Sequence, residues 1–180
     1  VRSVDELDLK GKTVTNWRFG VNILGLVAVL LMVLAMFQPW WSFTLQETKT
    51  TQVYPYLIDG AGSEMIGYKR SPQMTLLTGV LVASILLTLA GSFLKGRISR
   101  VLLALAGAFS LLGAWRLLAR VAGVAARFEI PLQGSGRAIY EGFAQIEVST
   151  QLEPGTYLIV AGGILAILAS LLASWVRLGE

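Results

Sequence analysis

Long apolar runs separated by two polar stretches dominate the chain. Four runs, residues 21–37, 74–94, 101–120 and 156–176, are each 17 to 21 residues long. A helix rises about 1.5 Å per residue, so these lengths match a hydrocarbon core of about 30 Å and predict four transmembrane helices. Too little polar sequence remains to cover them as buried helices of a soluble protein. Between the first and second runs, and again between the third and fourth, the period changes. In 121–155, Gln145, Glu147, Ser149 and Gln151 alternate with Ala144, Ile146, Val148, Thr150 and Leu152, as in a strand with one covered face. In 38–73, "WSFTLQE" and "TTQVYPYLI" flank a polar break at Thr48 and Lys49 and predict a hairpin, Pro55 placing its second arm at an edge. "IDGAGS" then reads as a turn and "EMIGYKR" as another short strand.

Unstructured loops of about 35 residues are uncommon, so the two stretches are expected to form one small sheet. The predicted fold is an all-α integral membrane four-helix bundle with a small extracellular β-sheet formed by the two outer loops. Its parts are a cytoplasmic segment 1–20, the first helix 21–37, outer loop 38–73, the second helix 74–94 and a cytoplasmic loop 95–100. The third helix 101–120, outer loop 121–155, the fourth helix 156–176 and a cytoplasmic tail 177–180 complete it. The polar stretch before the first run, with no A-x-A-like site after it, points to a retained anchor rather than a cleaved signal.

Composition agrees: 54% of residues are hydrophobic, 14% are charged, and mean hydropathy is +0.65. The net charge of +4 is spread beside the apolar runs, with no basic, aromatic-interleaved face for nucleic acid. Lys10, Lys12 and Arg18 precede the first run, "KGRISR" connects the second to the third, and Arg177 follows the fourth. Bases favour the cytoplasmic side, so both termini are expected there, in a multi-pass protein of the plasma membrane. Trp17 and Trp175 then fall at the inner interface, and Trp40 and Trp41 at the outer one, as headgroup anchors. Pro39 is expected to end the first helix.

The chain contains no cysteine and no histidine. That removes disulfides, thiolate or imidazole metal sites and nucleophiles that need a histidine base. No catalytic residue, cofactor or metal is expected, and the chain is read as no enzyme. "GAGS" and "GSG" lack the following helix and lysine of a phosphate loop and read as turns.

Small residues recur every four positions in the fourth run, as Gly162, Ala166, Ser170 and Ser174. Shorter rows are Ala106, Ser110 and Ala114 in the third and Thr75, Gly79 and Ala83 in the second. Such rows let helices approach closely, either within the bundle or against another subunit. Asn22 is expected to hydrogen-bond between helices. No Asp, Glu, Lys or His interrupts the middle of a run, which disfavours proton relays and ion-coupled carriers. Arg116 and Arg120 stand near the outer end of the third. Three roles are open to them: snorkelling to the headgroups, docking the outer sheet through Glu129, Glu141 or Glu147, or lining an anion-binding mouth.

Four helices, inner termini, a strand-bearing first outer loop and "QPWW" at its start resemble the claudin and PMP22-like tetraspan group. The cysteine-containing W-GLW-C-C signature of that group is absent. The resemblance implies a loop anchor at Trp41 and extends to the whole chain by topology, but only to a few residues by motif. The expected function is that of a non-enzymatic accessory or structural subunit, or a self-assembling surface protein. It would contact lipids and other membrane subunits, or itself, through the outer sheet and the small-residue helix faces. The alternative is a channel or transporter component with an arginine-lined outer mouth.

Overall fold

The computed structural model describes residues 21–45, 49–61, 63, 69–127, 129–140, 144–172 and 177–178. Four helices, α1 (Ile23–Phe37), α2 (Pro72–Phe93), α3 (Arg97–Arg127) and α4 (Pro154–Leu171), pack in a ring in which each touches the two beside it. α2, α3 and α4 are long and apolar enough to cross a membrane, whereas α1, with 15 residues, is shorter. Its start differs from the expected 21 because Asn22 has extended backbone and caps the helix, accepting from the Gly25 N–H at 3.1 Å. Val21–Asn22 instead form a strand, β1, whose antiparallel partner, Arg177–Leu178, is the last strand of the chain.

Ser71 caps α2 and Pro72 opens it, where its missing N–H costs nothing. α2 and α3 are joined by only three residues, with Gly96 at φ +83°, a left-handed turn suited to glycine. α3 has 31 residues and continues to Arg127, past the end of the apolar run at 120. The extra turns persist because Val121 packs in the apolar cluster that holds Trp41 and Val53, and Ala125 is buried one turn on. Glu129, at φ +56°, then breaks the helix, and Ile130 N–H closes it on the Ala125 carbonyl at 3.0 Å.

The five remaining strands make one antiparallel sheet: β2 (Trp41–Leu45), β3 (Lys49–Val53), β4 (Ile58–Gly60), β5 (Gly134–Tyr140) and β6 (Ala144–Leu152), with β7 (Arg177–Leu178) outside it. Its order is β4-β3-β2-β6-β5, so both polar stretches contribute and meet where β2 pairs with β6. Pro55 does not place β3 at the edge. The strand stops at Val53, the Tyr54 N–H bonds the Leu57 carbonyl at 2.8 Å around buried Pro55, and β4 takes the edge. "EMIGYKR" lies largely outside the described residues.

Register sorts the sheet's faces. Trp41 stands opposite Val53 and Leu152, and Phe43 opposite Thr51 and Thr150, on the covered face. Thr44, Thr50, Ser149 and Gln151 occupy the other face. The exposed Glu147, Ser149 and Gln151 and the buried Val148 and Thr150 show the period of two expected of β6. Trp41 and Val53 share one apolar cluster with Ala35, Leu77, Leu117, Val121 and Ile159, drawn from all four helices. The sheet therefore sits on one end of the bundle, with its apolar face down.

Candidate functional site

The stretch from Pro39 to Trp41 joins helices to sheet. Trp40 is fully buried, and its indole N–H donates to the Ala35 carbonyl in the last turn of α1 at 2.8 Å. Its backbone N–H reaches the Val53 carbonyl at 2.8 Å. Its own carbonyl accepts from the Glu153 N–H at 3.1 Å and the Thr156 hydroxyl at 2.6 Å, at the start of α4. The Gly155 N–H bonds the Pro39 carbonyl at 3.0 Å. A Cβ on Gly155 would collide with the Trp40 ring and lie 2.6 Å from the Pro39 carbonyl oxygen, so only glycine fits. Trp41 donates to the Leu132 carbonyl at 3.0 Å, tying in the segment after α3. Glu153 leaves its own helix uncapped and accepts from the Ser42 hydroxyl at 2.6 Å instead. One tripeptide thus fastens α1, β3, β6 and α4 together.

This corrects the assignment of Trp40 and Trp41 as headgroup anchors. With 0% and 4% exposure they are interior residues, and protein carbonyls satisfy their indole N–H groups. Trp17 and Trp175 lie outside the described residues. The sequence signal in "QPWW" was right about position but silent on burial, because an amphipathic ring suits either setting. Gly155 and Thr156, equally part of the junction, carried no signal beyond a turn preceding a helix.

The fourth-run ridge is also consumed inside the chain. A Cβ on Gly162 would lie 2.9 Å from Met32 Cγ of α1, Ala166 is fully buried, and the Ser170 hydroxyl donates to the Arg100 carbonyl at 2.8 Å. Four residues advance a helix by about 400°, so such a row turns from one neighbour toward the next. Gly163 meets Ser110 and Leu111 of α3, and Ser110 donates to the Ile159 carbonyl at 3.2 Å. Gly162, Ala166 and Ser170 therefore do not face another subunit; Ser174 lies outside the described residues. Conversely Thr75, Gly79 and Ala83 of α2 are exposed, and a Cβ on Gly79 would meet nothing within 4 Å. α2 buries Leu77, Leu81, Ser84 and Thr88 instead.

Hydroxyls inside the bundle have protein partners. Ser84, Thr88 and Ser92 bond carbonyls one turn earlier at 2.7 to 2.8 Å, and Ser99 reaches the Gly91 carbonyl at 2.6 Å. The Asn22 amide donates to the Ala169 carbonyl at 3.2 Å, the interhelical bond expected of it. Such bonds satisfy polar groups that have no water to turn to.

Arg116 and Arg120 are exposed on one side of α3, beside its buried face. Neither bonds Glu129 or Glu147, so docking through those described carboxylates does not occur; Glu141 lies outside the described residues. Arg127, which the sequence did not single out, is exposed on the same side. Above the bundle, burial and then the neighbouring Tyr56, Asp59 and Glu153 hold the Tyr54 phenol above its ordinary pKa. Its hydroxyl donates to Gln52 at 2.9 Å. No protein-family model and no curated protein matches the chain.

Proposed function

We propose that the chain is a non-enzymatic, four-span membrane protein that acts as an accessory or structural subunit, or assembles with itself, through the sheet on one end of its bundle. Both termini would lie in the cytoplasm and the sheet outside the plasma membrane, with α1 completing the four-helix bundle. The observation that carries this is the sheet itself. Its polar face exposes Thr50, Glu147, Ser149 and Gln151, and β5, at the edge of the order, has a second backbone edge with no strand beside it among the described residues. An open edge of this kind is a template for a strand from another chain. The outward Thr75, Gly79 and Ala83 row of α2 offers a small-residue face for a helix in lipid. A sheet built from both loops and starting at Trp41 supports the likeness to the claudin and PMP22-like group.

The test is purification from native membranes in mild detergent after oxidative cross-linking of Ser135→Cys, on β5, and Gly79→Cys, on α2. With no native cysteine in the chain, every cross-link reports the introduced position. Cross-linked copies or co-purified chains at either position are expected. A lone monomer without cross-links at both would remove the proposal.

A further inference from the structure

We propose that the sheet end of α3 binds the phosphate groups of anionic membrane lipids through Arg116, Arg120 and Arg127. This rests on the membrane placement proposed above and adds a ligand to it.

At about 100° per residue, Arg120 and Arg127 lie about 40° and about 20° round the helix from Arg116. All three are exposed, and none bonds a described residue. Below them the same stripe is apolar, with Leu105, Phe109 and Leu112 exposed by 44%, 41% and 55%. Trp115, one residue below Arg116, is 60% exposed. The stripe thus passes from Leu and Phe to guanidinium, with the Trp115 indole about 100° round the helix at the level of Arg116, in the order that a lipid presents tails and then headgroups.

Height agrees with this. Counted from Arg100, Arg116 and Arg120 stand about 24 and about 30 Å up the axis, at the far limit of the hydrocarbon. Arg127 stands about 10 Å higher. Helical side chains lean toward the N-terminus of their helix, which here is toward the bilayer. Arg120 and Arg127 therefore lean down into the headgroup layer, and the long stem of Arg116 snorkels up to it against that lean. Guanidinium is the side chain best matched to a phosphate, which it grips with two parallel N–H bonds.

The full chain is reconstituted in vesicles of phosphatidylcholine mixed with brominated phosphatidylglycerol, or with brominated phosphatidylcholine. Bromine quenches tryptophan on contact, and the difference between parent and Trp115→Phe isolates the leaflet at the sheet end. Parent protein is expected to prefer the anionic lipid, and Arg116→Gln, Arg120→Gln and Arg127→Gln to reduce the preference by up to about fivefold each. Lysine at the three positions should retain much of it. If the triple glutamine variant inserts poorly, Arg127→Gln alone, farthest from the bundle's buried packing, carries the comparison. An unchanged preference in these variants would overturn the proposal, as would its abolition by inorganic phosphate, which would mark a free-anion site. Absence of quenching by either lipid would instead sink the membrane placement.

Discussion

A single hydrogen atom decides much at residue 155. A methyl group there would strike the Trp40 ring and sit 2.6 and 2.8 Å from the carbonyl oxygens of Pro39 and Gln38. Those oxygens belong to backbone held by α1 and β3 and cannot swing aside as a side chain would. Gly155→Ala is therefore expected to cost about 1–3 kcal/mol, whereas Gly79→Ala, with open space around it, should change little. Thermal unfolding in detergent followed by circular dichroism compares them; equal midpoints would show that the junction yields. Tyr54 gives a pH dependence. Its pKa in the folded chain is raised above 10.0, first by burial and then by neighbouring Tyr56, Asp59 and Glu153. The folded state then holds the proton more tightly than the unfolded state. The stability linked to it is present in full below the unfolded value, about 10, and is lost as pH rises beyond it. Tyr54→Phe should flatten the fall in melting temperature over that alkaline range. A parallel fall in both proteins would assign the alkaline loss elsewhere.

At the scale of elements, helix contacts and sheet faces make opposite demands on substitution. α3 crosses α4 where a Cβ on Gly107 would lie 2.6 Å from the Gly163 carbonyl oxygen. Gly107→Ala must push the two helices apart, and a lower melting point with the monomer unfolding is expected. Gly123→Ala, on the same helix with nothing within 4 Å, is its control. In β6, Val148 is 2% exposed and Ser149 faces solvent. Val148→Asp buries a charge without a partner and should destabilise by a few kcal/mol, while Ser149→Asp should leave melting nearly unchanged. Loss of the contrast would mean that the sheet does not rest on the bundle.

These elements were unequally legible. The long apolar runs and the alternation of β6 come from one-dimensional periodicity, which survives without tertiary knowledge. "GSGRAIY" has little such pattern, and β5 is a strand because β6 pairs with it from Tyr140↔Ala144 to Gly134↔Thr150. The last turns of α3 were hidden because small residues such as Ala122, Gly123 and Ala126 suit a loop as well as a helix that packs only on Val121 and Ala125. Spacing found the ridge of α4 but not its neighbour, since a row of small residues looks the same against an inner helix or a second chain. The row in α2, identical in kind, faces outward.

For the whole molecule the decisive quantity is which end of the bundle faces the cytoplasm. At the end without the sheet, the six residues "KGRISR", spanning the turn and the start of α3, hold Lys95, Arg97 and Arg100 and no acid of their own. Positive charge resists translocation, so that connection should remain inside and carry the sheet to the outside. Because the chain lacks cysteine, introduced thiols report without background. Ser149 is exposed on the free face of the sheet, and Ile98, 48% exposed, marks the opposite end; Ser99 beside it is buried and would report poorly. An impermeant maleimide added to intact cells should label Ser149→Cys at once and Ile98→Cys only after permeabilisation. Labelling of Ile98→Cys alone would invert the molecule and place β5 among cytoplasmic partners. The arginines of α3 would then meet the inner leaflet, where anionic lipids of the cytoplasmic face would be their phosphate source.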